Sequence, residues 1–175
     1  MTKTTATPDT VGPPALQATF REVMAAVCTP VSVVTAMADA LPHGTTVSAF
    51  ASLSMEPPMV LVSLARSSEL LEMVRESGRF GLNVLSSSQS TLALTFATKG
   101  GVGKFTGVRW DAEAGVPRLA GAGGFLACDA TDFVEGGDHV IVLGLVHAAD
   151  TVPGPPLTYH GRVFGTYAAL GEQSA

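Results

Sequence analysis

The residues at 44–58 read GTTVSAFASLSMEPP, and the hydroxyl groups of Thr46, Ser48, Ser52 and Ser54 alternate there with Val47, Ala49 and Leu53. In an extended chain alternate side chains share a face, so these small hydrogen-bonding groups would line a wet pocket. The same alternation also fits an ordinary half-exposed strand. Further along, Asp138 precedes His139 and can hold that imidazole in one tautomer. Several familiar chemistries are excluded. In GGVGKF at 100–105, Phe105 follows Lys104, and Thr98 stands where a phosphate loop needs its first glycine. No GxGxxG follows a strand, no GxSxG is present, and His43, His139, His147 and His160 lack the spacing of a zinc enzyme, so no metal is expected.

These groups must be positioned by strands. Leu16, Phe20, Val23 and Val27 recur at helical spacing after Pro13 and Pro14, which predicts an amphipathic helix up to about residue 28. Segments 31–35, 45–54, 59–65, 80–85, 125–134, 139–148 and 163–167 are rich in β-branched or aromatic residues and bounded by Gly, Pro or Asp, and they read as strands. Two short helices interrupt them. One spans 68–77 and is closed by Gly78; the other is announced by a Ser86/Gln89 capping box, with Leu92 and Phe96 on one face. Many strands, three helices and no strict βαβ alternation predict a mostly β fold with flanking helices, an antiparallel barrel.

Composition narrows the class. The 175 residues suit one domain, with 1–15 a loose tail and 16–170 the folded unit. A net charge of −5 leaves no basic footprint, so no nucleic acid partner is expected. Charged residues make up only 14% against roughly 25% in a typical soluble domain, which hints at a buried subunit interface. Cys28 and Cys128 form no CxxC pair, and no segment has a signal or membrane-spanning character, so a soluble, reduced, cytoplasmic protein is expected.

GTTVSAFASLSMEPP, MVLVSLARSSELLEMV, FGLNVL, KFTGVRW, GGDHVIVLGLV and LTYHGRVF occur in that order. Together they resemble the short-chain flavin reductase family over nearly the whole chain. The resemblance implies an FMN-binding split β-barrel of Greek-key type, usually a homodimer. It also implies reduction of FMN or FAD by NADH or NADPH, with the product supplied to a separate flavin-dependent monooxygenase. The alternative on the same barrel is a non-enzymatic flavin-binding electron carrier.

By matching positions, the resemblance implies flavin contacts at Thr46, Val47, Ser48, Ser52, Leu53, Ser54, Ser63, Leu64, Ala65 and Arg66. Ser68 would open a helix whose amides face the flavin phosphate, with Arg66 adding charge; read without the resemblance, Ser68 is a helix cap and Arg66 a solvated side chain. Lys104 and Phe105 resemble a loop reaching toward flavin, or else a loop anchored by one aromatic. His139 is implied to position nicotinamide or help protonate reduced flavin, and Tyr159 to lie beside the rings.

Overall fold

The computed structural model describes residues 13–170. The helix α1 spans Pro14–Ala25, and its proline pair suits a first turn whose amides need no partner within the helix. It starts earlier and ends sooner than expected; Pro14 and Ala15, assigned above to the tail, are helical, while residues 1–12 lie outside the described part. Then follow β1 (Thr29–Pro30), β2 (Ser32–Ala38), β3 (Leu41–Val47), β4 (Phe50–Met55) and β5 (Pro58–Ala65). The second helix, α2 (Glu69–Ser77), is ended by Gly78, whose φ of 69° is the left-handed cap that glycine adopts cheaply, and its N–H returns to the Val74 carbonyl. After β6 (Arg79–Val84), the capping box at Ser86 and Gln89 forms as expected and leads through one tight turn into α3 (Ser90–Ala97).

The remaining elements are a tight helical turn at Gly101–Phe105, then β7 (Trp110–Glu113), β8 (Val116–Leu119), β9 (Gly124–Gly136), β10 (His139–Thr151), β11 (Thr158–His160) and β12 (Val163–Gly165). Strands β1, β7, β8 and β11 carried no sequence expectation. The last strand stops at Gly165 instead of reaching residue 167.

Seven antiparallel strands pair in the order β3-β2-β6-β9-β10-β5-β4. This corrects the expectation of one strand over 45–54: β3 and β4 sit at opposite ends of the sheet, joined only by Ser48 and Ala49. Two residues span less than about 10 Å, whereas the outer strands of a flat seven-stranded sheet stand about 29 Å apart. The sheet therefore curls until its edges approach, while Ser63 N–H on β5 donates to the Ala49 carbonyl at 2.9 Å and extends the β4–β5 ladder into the bend. The bend is what makes this fold a barrel.

Inside the barrel lie Val34, Val62, Leu64, Phe80, Leu82, Val140 and Val142, all essentially without solvent contact. A second core cluster gathers Phe96, Phe105, Leu119 and Leu157. The β7–β8 hairpin is pinned by buried Asn83, which donates to the carbonyls of Val33 and Pro117 and accepts from Leu119 N–H at 2.8 Å. The helix α1 is different: none of its residues is buried, and Leu16, Phe20, Val23 and Met24 remain exposed.

Candidate functional site

Where the barrel edges meet, a concave pocket of about 260 Å³ opens, lined by Thr45, Thr46, Val47, Ser48, Ala49, Ser63, Leu64, Ala65, Ser68 and His139. Three pieces of chain converge there because of register. His139 on β10 pairs with Ala65 on β5, which sets the imidazole beside the end of that strand. Asp138 Oδ1 lies 2.8 Å from His139 Nδ1, and this contact holds the Asp138 carboxyl below the usual carboxylate range. Ser68, at the mouth of α2, makes no side-chain cap within its helix, so its hydroxyl is available to the pocket. The lining combines hydroxyl and strand-backbone groups with no carboxylate side chain. That donor set suits a ligand with several hydrogen-bonding edges.

Thr46 also faces the neighbouring helix: its hydroxyl donates to the Ala93 carbonyl at 2.6 Å, and Thr45 donates to that of Phe96 at 3.4 Å. Beyond this wall lies a larger, mostly apolar groove of about 530 Å³. Its lining includes Ala93 and Ala97 of α3, Tyr159 and Phe164 of the β11–β12 hairpin, and Arg162 at that hairpin's turn. Thr46 and Ser48 border both cavities. The Tyr159 and Phe164 rings pack 5.1 Å apart.

The sequence of the chain from residue 24 to residue 168 matches the profile of the flavin reductase like domain. The chain belongs to this flavin reductase family. Among its relatives is the reductase subunit HsaB of a flavin-dependent monooxygenase from Mycobacterium tuberculosis, 36% identical over 152 residues, covering 84% of this chain and 81% of the relative. Another is the reductase component of a 4-nitrophenol 4-monooxygenase/4-nitrocatechol 2-monooxygenase from Rhodococcus opacus, 39% identical over 151 residues, covering 86% and 81%. Among solved structures, nitrilotriacetate monooxygenase component B from Mycobacterium thermoresistibile is similar with a TM-score of 0.85 at 30% identity, covering 92% of this chain and 90% of that one. The NADH:FAD oxidoreductase SgcE6 of Streptomyces globisporus C-1027, in complex with NAD and FAD fragments, gives 0.83 at 31%, covering 91% and 98%. The barrel expected from the sequence is the fold these flavin reductases share.

Within this flavin reductase fold, the residues singled out from the sequence divide. Thr46, Val47, Ser48, Ser63, Leu64, Ala65, Ser68 and His139 meet at the pocket, and Tyr159 lies in the groove. Ser52, Leu53 and Ser54 do not line either cavity: they follow the bend on β4, where the pairing shifts between Ser52 and Ser54 and Leu53 is left exposed. Arg66 is also outside both linings; it donates to the Gly137 carbonyl at 2.8 Å and pairs with Glu135.

Lys104 and Phe105 are buried instead of reaching into either cavity. Phe105 packs edge-on against Phe96 and Trp110, and the Lys104 ammonium serves two backbone carbonyls. Pocket residues that sequence reasoning missed are Thr45 and Ala49. Strict alternation assigned both to the far side, but the bend at Ser48 and Ala49 lets both faces contribute. The Ala93/Ala97 pair, four apart on α3, was a readable sign of a close-approach face.

Proposed function

We propose that this protein is an NAD(P)H-dependent flavin reductase that reduces exchangeable FMN or FAD and hands it to a separate flavin-dependent monooxygenase. The observation that carries this reading is the convergence of Thr46, Ser48, Ser63, Ser68 and His139 on one pocket in a family whose relatives are named as reductase components. A flavin held there supplies the ring that accepts a hydride from reduced nicotinamide. The residues of this chain bind, orient and shield. Ser48 and Ser63 would present hydroxyls to the polar edge of a bound ring, and Ala65, on the same face of β5 as Ser63, would give it an apolar contact, while the Leu64 side chain points into the barrel core. Ser68 and the first amides of α2 would hold an anionic tail, although Glu69 and Glu72 in that first turn limit how strongly they attract it. His139, steadied by Asp138, positions the nicotinamide or holds a proton at Nε2. With two rings to stack and no bond for the protein itself to form, a nucleophile is unnecessary, and positioning provides the main acceleration.

The protein acts in this reading as a cytoplasmic homodimer. The apolar residues exposed along α1 and the low overall charge support a second copy as the partner of that face. No described helix is long and apolar enough to cross a membrane. The test is steady-state oxidation of NADH and NADPH with added FMN and FAD, together with sedimentation of the purified protein. Turnover that saturates in flavin, by a species of twice the chain mass, is expected. Flavin binding without nicotinamide oxidation would identify a passive electron carrier, and a permanently retained flavin would contradict hand-over to a partner.

A further inference from the structure

The groove beside the pocket has Arg162 as the one charged residue among its described lining residues, and that charge is already taken. Glu22, on α1, reaches across 140 positions of sequence: its carboxylate accepts from Arg162 Nη1 at 3.2 Å and from Nη2 at 2.7 Å. The contact is a two-pronged pairing, the geometry in which a guanidinium recognises carboxylates and phosphates alike. It is also placed by the backbone. Gly161 and Arg162 both have positive φ, 57° and 66°, in the turn of the β11–β12 hairpin, and Gly161 N–H donates to the Ala25 carbonyl of α1 at 2.8 Å. Helix and hairpin turn are thus tied at two points, so Glu22 is held at the guanidinium.

Because Thr46 and Ser48 border both cavities, a molecule that sets one ring in the pocket has the groove as its continuation. The aromatic pair Tyr159 and Phe164, in a groove also lined by the exposed Leu94 and Ala97, suits a second flat ring such as adenine. We propose that Glu22 is a specificity-determining residue: by occupying Arg162 it makes the groove favour an adenine nucleotide without a 2′-phosphate, hence NADH over NADPH. This rests on the reading that a reduced nicotinamide dinucleotide is the hydride donor. A phosphate monoester carries nearly two negative charges near neutral pH. At this groove it meets a neutralised cation and, beside it, the charge of Glu22 itself. The diphosphate common to both nucleotides does not discriminate between them.

The pair is solvent-exposed, with side chains 57% and 69% accessible, so removing the carboxylate leaves the core untouched. In Glu22→Gln the guanidinium becomes available to phosphate. Calorimetric titration with adenosine 2′,5′-bisphosphate and with 5′-AMP reads this without any turnover. The wild-type protein is expected to bind the bisphosphate no better than 5′-AMP. Glu22→Gln should gain about tenfold for the bisphosphate alone, the size expected when one unit charge near a dianion is removed in water. In steady-state assays the KM for NADPH should fall by a similar factor, with kcat and the KM for NADH little changed. The double variant Glu22→Gln/Arg162→Gln should lose the gain. An unchanged probe ratio in Glu22→Gln, a gain that persists without Arg162, or no binding of either probe overturns the proposal. If the wild-type protein oxidises neither nicotinamide with any flavin, the underlying reductase reading has failed, an outcome separate from the probe titrations.

Discussion

The ammonium of Lys104 donates to the carbonyl oxygen of Gly44 across 3.0 Å, sixty positions away in sequence, and to that of Phe96 across 3.2 Å. One buried cation thereby ties β3, just before it reaches the pocket, to the end of α3. Burial pushes the lysine pKa down, and the nearby Glu69 carboxylate partly offsets this. Lys104 is thus a clamp for the strand that carries Thr45 and Thr46 and leads into Ser48.

Lys104→Met keeps most of the side-chain volume and removes the charge-assisted bonds. Stability should fall by about 2 kcal/mol, the usual scale for hydrogen bonds to a charged group. Urea denaturation followed by circular dichroism measures this, and an unchanged midpoint would remove Lys104 from its clamping role.

His139→Ala should lower kcat of flavin reduction by about tenfold while flavin affinity stays nearly constant, because a misplaced ring costs rate before it costs binding. Stopped-flow reduction and fluorescence titration of flavin separate the two quantities. Equal losses in both would make His139 a simple binding contact.

Gly144 faces the ring of Phe80, and a Cβ placed there would stand 2.4 Å from Cζ and 3.0 Å from the Cβ of Cys128. Gly144→Ala should therefore destabilise by about 3 kcal/mol through overpacking. The compensating pair Gly144→Ala/Phe80→Leu should recover part of the lost melting temperature.

The Glu22 carboxyl is held below the usual carboxylate range by its hydrogen bonds to Arg162. A depressed folded-state pKa contributes fully above the ordinary glutamate value and is lost as pH falls through the folded value. On acidification, amide exchange in α1 should accelerate before that of β9 and β10, whereas in Glu22→Gln the exchange of α1 should be fast already at neutral pH.

Burial, with Asp129 adding to it, pushes the Cys128 thiol up to about 12, while Cys28 is exposed. A thiolate reagent should modify one cysteine per chain in the native protein and two in denaturant. Rapid labelling of both in native conditions would contradict the buried placement of Cys128.

By itself the sequence determined the three helices and the strands β2, β5, β6, β9, β10 and β12, the caps at Gly78 and Ser86, and the order of motifs that marks the family. Each depends on neighbours within a few residues: alternation along β5 and β10, a left-handed glycine, a serine three positions before its glutamine. Only the tertiary structure decided where 44–55 divides. A bend at Ser48 and Ala49 looks like any other pair in an alternating run, yet it carries the chain from one sheet edge to the other and takes Ser52, Leu53 and Ser54 away from the pocket. The same holds for Lys104 and Arg162, whose partners Gly44 and Glu22 lie 60 and 140 positions away. A charged side chain announces its charge in the sequence, but whether that charge faces a ligand, a carbonyl or a carboxylate depends on which distant strands and helices close around it.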